Sequence, residues 1–474
     1  MATKTIVLYP GLAVSHFVPM MQLADVLLAE GYAIAVALID LTMDHDATFA
    51  AAVRAAASSA SSAVTFHTLP RITNPPSFSS GVDMLLGYLE IVRRYNEHLR
   101  ELLSSMPPRS VHAVVVDALS MDALGVAKEL GVPRYTFYAT NASALAVFAQ
   151  LPSIRAEGQP SFRELGDTTL DFHGLPPLPA SHLFAEMLEE PDSEIYQAMM
   201  SMMCKNVEAD GILVNTFESL EAQAVGALRD TIKIGERRMP PVYCVGPLLV
   251  GAGAETEIKG KHECLAWLDG QPERSVVFLC FGSIGAATHP SEQLREIAAS
   301  LENSGHRFLW VVRAPLHAEP DVVIDELLPD GFLERTKGRG LVVKLWAPQV
   351  EVLHHKATAA FVTHCGWNSV LEGITAGVPM LCWPMYAEQK MNKVFMVEEA
   401  RIGVEVVGWQ QGLVTAEEVE AKVRLVLESE DGEQLRARVA AHKDAAAMAW
   451  EDGGSSRAAF AQFLSDVDGL VGDA

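Results

Sequence analysis

The residues whose types most clearly suggest a chemical function lie in one short stretch, residues 363–379, which reads THCGWNSVLEGITAGVP. A strand-like run leads into His364, and a helical pattern begins near Asn368, so the unpaired backbone N–H groups of a helix start should face the strand end. Such a helix start favours anions. Gly366 allows close approach, and His364, Asn368 and Ser369 add side-chain donors. These groups together predict a diphosphate site, whereas a helix capped in the ordinary way by Asn or Ser is the simpler alternative.

A second predicted strand end, shortly before this stretch, carries groups that suit a nucleoside. Trp346, Ala347 and Gln349 follow that strand, where an indole face can stack on a base and polar groups can reach its edge. Glu372 lies about one turn into the helix after His364 and can accept hydrogen bonds from two ribose hydroxyls. Base, ribose and diphosphate would then lie in order.

Two further strand ends complete this set of candidates. Glu388 and Gln389 follow the next predicted strand and offer a carboxylate and an amide for adjacent sugar hydroxyls, although each could also be a solvated helix start. Upstream, Ser283 follows the first strand of the second half of the chain and offers another phosphate contact.

A histidine and an aspartate occupy equivalent positions in the first half of the chain. His16 and Asp117 each follow a predicted strand, and parallel strands end at the same edge of a sheet, so the two side chains can meet. The start of the following helix, which we expect one or two residues after His16, favours a neutral imidazole, and Asp117 could fix its tautomer. Two unrelated loop residues remain the alternative. Ser15 raises the possibility of a hydrolase, but the sequence contains no GxSxG motif.

Alternating strand-like and helical segments must position these residues. Buried strands are predicted at residues 6–9, 33–38 and 111–116, and later at 276–281, 308–312, 341–345, 359–362 and 379–383. The alternation predicts parallel sheets with helices on both faces, in two doubly wound domains. A Gly-rich polar stretch places the boundary near residue 250.

Composition and charge exclude several classes of protein. The 474 residues carry a net charge of -24, which disfavours binding to nucleic acid and to anionic membrane surfaces. No apolar run is long enough to span a membrane and no signal peptide is evident, so we expect a cytoplasmic protein. The six cysteines lack CxxC spacing and predict neither a disulfide framework nor a zinc site.

Residues 346–389, 44 residues long, resemble the signature box of plant UDP-dependent glycosyltransferases of secondary metabolism, and the resemblance extends over essentially the whole chain. It implies a GT-B architecture, in which two Rossmann-like domains face each other across a cleft. On this pattern residues 1–248 form the acceptor-binding domain, 249–260 a linker, 261–454 the UDP-sugar-binding domain, and 455–474 a helix that packs back on the first domain.

The resemblance also implies a role for each candidate residue. Trp346 would stack on uracil, Gln349 and Glu372 would bind the ribose side, and Trp367, Glu388 and Gln389 would face the sugar. Ala347 belongs to the same UDP-sugar-binding set. The diphosphate would be held by residues in two loops, namely Ser283, His364, Gly366, Asn368 and Ser369. His16 and Asp117 match the catalytic pair, with Asp122 as the second choice of carboxylate.

The expected reaction is inverting transfer of glucose from UDP-glucose to a hydroxyl of a flavonoid or other phenolic, giving a β-O-glucoside. Gln389 resembles the residue of family members that use glucose, whereas His at that position is associated with galactose users. Glu388 stands where the family more often has Asp, and Ser15 stands where it more often has Gly. Another donor sugar, or C-, N- or ester-linked transfer, therefore remains open. Candidates for lining an apolar acceptor cleft, which could equally be core residues, are Phe78, Tyr88, Phe137, Thr140, Phe148, Phe184 and Met187.

The sequence also bears on two other possible functions and on whether a metal or cofactor is needed. An NAD-dependent oxidoreductase would need GxGxxG after the first strand, which residues 10–15 do not provide, and a noncatalytic nucleotide-sugar-binding protein would not need His16 and Asp117. Residues 44–46 resemble a DxD metal motif but fit a solvated turn or helix cap. We therefore expect no metal and no cofactor beyond the UDP-sugar co-substrate, and a monomer.

Overall fold

Two parallel β-sheets, each with helices on both faces, form the framework of the protein. The computed structural model describes residues 4–11, 13–76, 82–155, 158–234, 237–248, 262–282, 289–313 and 327–472. The chain divides into unit 1, Met1–Val250 with Ala449–Ala474, and unit 2, Gly251–Met448. The predicted linker at 249–260 lies outside the described residues.

Strands and helices alternate through the first part of unit 1. The strands are β1 Thr5–Tyr9, β2 Ala33–Ile39, β3 Val64–Leu69, β4 Val111–Asp117, β5 Arg134–Tyr138, β6 Thr169–Leu170, β7 Leu178–Pro179, β8 Gly211–Val214, β9 Lys233–Ile234, β10 Arg237–Arg238 and β11 Val242–Cys244. The helices are α1 Val14–Ala29, α2 Asp40–His45, α3 Ala47–Ser59, α4 Val82–Ser105, α5 Leu124–Glu129, α6 Ala142–Ile154, α7 Phe162–Leu165, α8 Glu194–Cys204 and α9 Ala222–Asp230. Short 3₁₀ turns span Met121–Ala123, Ala180–His182, Ala185–Leu188 and Lys205–Glu208.

The main sheet of unit 1 has seven parallel strands in the order β11-β8-β5-β4-β1-β2-β3. Alternate residues of β1 face opposite sides, so that Val7 and Tyr9 enter one buried apolar cluster while Ile6 and Leu8 enter the other. Burial on both faces explains the continuous apolar run of this strand. The chain reverses direction across the sheet between β1 and β4, which is where such folds bind ligands.

Unit 2 repeats this plan with six parallel strands. The strands are β12 Val276–Cys280, β13 Arg307–Val312, β14 Gly340–Lys344, β15 Thr358–Thr363, β16 Met380–Cys382 and β17 Gly403–Glu405, in the order β14-β13-β12-β15-β16-β17. The helices are α10 Glu263–Asp269, α11 Ser291–Ser304, α12 Phe332–Arg335, α13 Gln349–His354, α14 Trp367–Ala376, α15 Gln389–Val394, α16 Ala416–Glu428 and α17 Glu430–Ala449, with a π-helical turn at Phe395–Glu399 and a 3₁₀ turn at Trp409–Gln411. The reversal of strand order falls between β12 and β15.

The C-terminal helix, α18 Ser455–Gly472, belongs to unit 1. Its apolar stripe of Phe460, Phe463 and Val467 is fully buried, and Phe463 meets the ring of Tyr135 edge-on at 4.8 Å. Each such buried side chain stabilises the fold by roughly 1.5–3 kcal/mol, so this helix is an integral part of unit 1.

Most predicted strands agree with the observed ones to within a residue or two. The first helix differs more: it starts at Val14 rather than near residue 18, so Pro19 lies inside it. Within the described part of the chain, no helix combines the length and apolar character needed to span a membrane.

Candidate active site

His16 and Asp117 meet at the switch point of the unit 1 sheet. His16 Nδ1 lies 2.7 Å from Asp117 Oδ2, and Asp117 is fully buried at the end of β4. The other carboxylate oxygen accepts a hydrogen bond from the Leu119 amide at 2.9 Å. Because a carboxylate accepts from Nδ1–H, this contact assigns the tautomer whose lone pair is on Nε2. That nitrogen is the one able to accept a proton from a substrate.

The position of His16 in the helix differs from the prediction. His16 is the third residue of α1, inside the first turn, rather than one or two residues before the helix. It remains close to the positive end of the helix dipole.

The competing carboxylate, Asp122, lies in the 3₁₀ turn Met121–Ala123 and pairs with Lys205 Nζ. It is therefore engaged by another charged group, and of the two carboxylates it is Asp117 that contacts His16.

At the equivalent switch point of unit 2, the chain forms a helix start suited to an anion. β15 ends at Thr363, Gly366 is the N-cap of α14, and no acidic residue lies in the first turn. Gly366 makes no side-chain hydrogen bond to the first turn of α14, and a helix start of this kind favours an anion. Asn368 and Ser369 lie in that first turn, where their side chains are predicted to add hydrogen-bond donors.

His364 lies between this helix start and the end of β12. A Cβ built on Gly366 would stand 2.5 Å from His364 Nε2, and one built on Gly282 would stand 2.7 Å from it. Burial lowers the pKa of His364 to about 4, so the ring is neutral near pH 7. Its Nδ1 is buried with no hydrogen-bond partner among the described residues. Because neither glycine has a side chain, the imidazole fits beside both of them, and its Nδ1 can form a further hydrogen bond. Sequence reasoning named Gly366 but not the role of Gly282.

Three polar side chains form a connected cluster beside this cradle. Gln349 Nε2 donates to Ser369 Oγ at 2.9 Å and to Glu372 Oε2 at 2.6 Å. Burial raises the pKa of Glu372 to about 7, with the Gln349 hydrogen bond opposing part of that rise. The structure therefore brings together the residues predicted to contact ribose and phosphate.

Trp346 offers an open aromatic face next to this cluster. Its side chain is 51% exposed, which is unusual for tryptophan, and its ring meets that of His262 edge-on at 5.6 Å. Ala347 beside it is buried. His262 could not be predicted, because a histidine 84 positions away along the chain has no visible relation to Trp346.

Glu388 is the N-cap of α15, and Gln389 is its first residue. Gln389 is buried, and its Oε1 accepts hydrogen bonds from the Met385 and Tyr386 amides, each at 3.0 Å. Because the carbonyl end is used, the amide NH₂ is the end able to contact a ligand. Glu388 Oε1 lies 3.3 Å from Asn392 Nδ2.

Trp367 is the predicted donor-site residue that differs most in placement. Its side chain is 2% exposed and packs against Phe395 with ring centroids 5.8 Å apart. The ring belongs to the apolar packing beneath α14, and its contact with the sugar stays a prediction.

The candidate acceptor residues of unit 1 fall into two groups. Tyr88 and Phe137 lie in the two apolar clusters of the sheet, where Tyr88 also hydrogen-bonds to Ser120 Oγ at 2.7 Å. Phe148 is only partly buried and meets Phe184 edge-on at 5.4 Å.

The rest of the acceptor set is less informative. Met187 is fully buried and Thr140 is partly exposed two residues after β5. Phe78 and the donor-site candidate Ser283 lie outside the described residues.

The acidic residues of the DxD-like stretch have structural partners. Asp46 caps α3 by accepting from the Thr48 and Phe49 amides, and Asp44 pairs with Arg71. No group of three or more His, Cys, Asp or Glu side chains suited to a metal ion occurs among the described residues.

Comparison with known proteins gives consistent matches over nearly the whole chain. The family model "UDP-glucoronosyl and UDP-glucosyl transferase" matches residues 6–446. An anthocyanidin 5,3-O-glucosyltransferase of a Rosa hybrid cultivar is 37% identical over 98% of this chain and 98% of its own length. A phloretin 2'-O-glucosyltransferase of Pyrus communis is 40% identical over 85% of this chain and 86% of its own.

Solved structures also match over nearly the whole chain. A Phytolacca americana protein complexed with UDP-2fluoro-glucose and pterostilbene superimposes with a TM-score of 0.86 at 30% identity, covering 98% of this chain and 100% of that one. A Medicago truncatula protein complexed with UDP-glucose gives a TM-score of 0.82 at 29% identity, covering 99% and 98%.

Proposed function

The chain belongs to the UDP-glucoronosyl and UDP-glucosyl transferase family and is a UDP-glycosyltransferase of the GT-B fold class, and from this premise we propose its donor, acceptor and mechanism. The donor is UDP-glucose and the acceptor is a hydroxyl of a flavonoid or related phenolic. The product is a β-O-glucoside. The observation that carries the proposal is the contact of 2.7 Å between His16 and Asp117, which supplies a base for a hydroxyl acceptor.

Unit 2 holds the donor in this proposal. Uracil stacks on the exposed face of Trp346, and Glu372 accepts hydrogen bonds from the ribose hydroxyls. The diphosphate lies at the start of α14, which no side chain of its N-cap Gly366 blocks. Glu388 and the amide NH₂ of Gln389 bind hydroxyls of the glucose. The relatives solved with UDP-glucose and with a fluorinated UDP-glucose support this choice of donor.

Unit 1 supplies the base. His16 Nε2 takes the proton of the acceptor hydroxyl while its oxygen forms a bond to the anomeric carbon. The bond from that carbon to the diphosphate oxygen breaks, and UDP leaves with the electron pair. Attack from the face opposite UDP inverts the centre, so α-linked donor glucose becomes β-linked in the product.

Separate groups stabilise the positive charge that forms on His16 and the negative charge that forms on UDP. Asp117, buried and 2.7 Å from the ring, stabilises the imidazolium that forms on His16. The negative charge that develops on UDP meets the N–H groups of α14 and neutral donors such as His364. We propose that these groups suffice without a metal ion.

The phenolic acceptor is inferred from the relatives and from unit 1. The named relatives act on an anthocyanidin and on phloretin, and one solved relative was complexed with pterostilbene. In unit 1 the partly buried Phe148 and its partner Phe184 give an aromatic wall that suits a flat aglycone.

A donor and acceptor screen tests the proposal. The purified protein is incubated with UDP-glucose, UDP-galactose or UDP-xylose and with phloretin, an anthocyanidin or a simple phenol, and UDP release and product mass are measured. We expect UDP release that depends on acceptor and is fastest with UDP-glucose. Binding of UDP-glucose with no acceptor-dependent release would instead indicate a noncatalytic sugar-binding protein.

A further inference from the structure

The helix that begins at Gln389 carries a buried amide, Asn392, for which neither the motif nor the proposed chemistry has a use. Asn392 is 1% exposed and lies one turn after Glu388. Its Nδ2 is 2.9 Å from the carbonyl oxygen of Cys365 and 3.3 Å from Glu388 Oε1. Both partners are acceptors, so the amide must present its NH₂ group to them, with one N–H for each. One side chain therefore connects the loop before α14 with a carboxylate at the start of α15.

The backbone at Cys365 has an uncommon conformation that its hydrogen bonds help to hold. Cys365 adopts a left-handed backbone conformation, with φ of 65°, which a residue with a side chain occupies only when its surroundings hold it there. Its amide donates to Thr363 Oγ1 at 3.3 Å, and its carbonyl accepts from Asn392. Gly366, the N-cap of α14, follows directly. The Asn392 hydrogen bond thus helps to fix the direction in which the first turn of α14 points.

The hydrogen bond from Asn392 to Glu388 restricts a long and flexible side chain. A glutamate has one more rotatable bond than an aspartate, and its carboxylate samples more positions unless something holds it. Asn392 holds Oε1 and so limits the positions that the carboxylate samples. The carboxylate is then fixed relative to the same loop that leads into α14.

We propose that Asn392 is a positioning residue that sets the spacing between the diphosphate cradle and Glu388, and through it the selectivity for the hexose of the donor. The inference rests on the proposed function, because it takes the start of α14 as the diphosphate site and Glu388 as a sugar contact. Asn392 itself touches neither part of the donor; it acts through Cys365 and Glu388.

The variant Asn392→Asp tests this role with little change in shape. It removes both N–H donors and places a second carboxylate beside the Cys365 carbonyl and Glu388. We expect kcat/KM for UDP-glucose to fall about tenfold or more, since hydrogen bonds to charged groups are among the stronger ones. The dissociation constant for UDP, measured by isothermal titration calorimetry, should rise by a smaller factor than that for UDP-glucose, since UDP makes no hexose contact with Glu388 and its base and ribose contacts remain. The preference for UDP-glucose over UDP-galactose should also fall.

Gln293→Glu is a matched control in the same unit. Gln293 is a buried amide whose Nε2 donates to the Val414 carbonyl at 2.8 Å and whose Oε1 accepts from the Val414 amide at 2.8 Å. The substitution loses a donor to a backbone carbonyl in the same way. We expect it to lower thermal stability while leaving the ratio of UDP-glucose to UDP affinity, and the sugar preference, unchanged.

Asn392→Ala is the second variant, and it removes the donors without adding a charge. The inference is overturned if either Asn392 variant that binds UDP keeps the wild-type sugar preference. It is equally overturned if UDP and UDP-glucose affinities fall by the same factor, or if Gln293→Glu shifts the preference as much. A wild-type protein that does not turn over UDP-glucose would remove the proposed function itself, so the two failures are distinguishable.

Discussion

His16 Nδ1 contacts Asp117 Oδ2 at 2.7 Å although the two residues are 101 positions apart in the chain. The contact exists because β1 and β4 are neighbours in a parallel sheet and both end at the same edge. A solvent-accessible imidazole oriented by a buried carboxylate is the arrangement needed to take a proton from a hydroxyl.

Replacing the base should abolish catalysis while leaving donor binding intact. For His16→Ala we expect kcat with a phenolic acceptor to fall by about 10²- to 10⁴-fold, the usual contribution of a general base. Asp117→Asn should also lower kcat strongly, because an amide can favour the wrong tautomer. Steady-state kinetics give kcat, and calorimetric titration with UDP checks that its affinity is unchanged.

Asp122→Asn is the control for Asp117→Asn. Asp122 pairs with Lys205 rather than with His16, so this variant should keep most of its turnover. A greater loss in Asp122→Asn than in Asp117→Asn would reverse our assignment of the two carboxylates.

Trp346 should matter for binding rather than for folding. Stacking of an aromatic side chain on a base contributes about 1–3 kcal/mol, so Trp346→Ala should weaken UDP binding roughly tenfold or more. Its melting temperature should stay close to wild type, because the side chain is 51% exposed. Leu345→Ala, which changes an equally exposed neighbour, should leave UDP affinity nearly unchanged. Equal weakening by both variants would argue against a stacking role.

The space between Gly366 and His364 should be essential for the diphosphate. In Gly366→Ala the added methyl group would stand 2.5 Å from His364 Nε2, closer than atoms can approach, so the ring or the helix start must move. The φ of Gly366 is -63°, which alanine adopts easily, so the effect is steric and not backbone strain. We expect UDP affinity to fall about tenfold or more. Gly226→Ala, with nothing within 4 Å of the new methyl, is the control that should bind UDP normally.

The raised pKa of Glu372 leads us to expect opposite effects of pH on the stability of the fold and on the affinity for the donor. Its pKa is about 7 in the folded protein against 4.5 for the free side chain, so its contribution to stability is present below pH 4.5 and is lost as pH rises to about 7. Glu372→Gln should therefore unfold at a higher temperature than wild type at pH 8, by a free energy on the order of 1–3 kcal/mol, and show little difference at pH 4.

Donor binding should follow the opposite trend, because a carboxylate accepts from two ribose hydroxyls better than a carboxyl group does. We expect wild-type affinity for UDP-glucose, whose phosphates do not titrate in this range, to rise as pH increases from 6 to 8. Glu372→Gln should bind more weakly above pH 7 and lose this dependence. A wild-type affinity that does not vary over the same range would contradict the ribose assignment.

The sequence predicted the elements that depend on local pattern. Apolar runs and glycine or proline breaks marked the strands of both sheets, and the polar residues just after β1, β4 and β15 marked the two switch points. Because parallel strands end at a common edge, the pairing of His16 with Asp117 could be anticipated from their positions alone.

Side-chain direction within an element could not be predicted in this way. Trp367 is in the expected loop, but its indole turns into the core because Phe395, which it contacts, comes from a later element. Phe137 is aromatic and lies near the end of β5, yet the alternation along this strand sends it into an apolar cluster. The contacts of Asn392 and His262 join segments that the sequence alone does not connect.

The linkage formed in the product tests the central claim most directly. Wild-type protein is incubated with UDP-α-glucose and phloretin in the presence of EDTA, and the anomeric configuration of the purified product is measured by NMR from its H1–H2 coupling. We predict a β-O-glucoside, formed in equal amount with UDP and unaffected by the chelator. An α-linked product, or turnover that stops with EDTA and returns with manganese, would contradict in-line attack assisted by His16 at a metal-free diphosphate cradle.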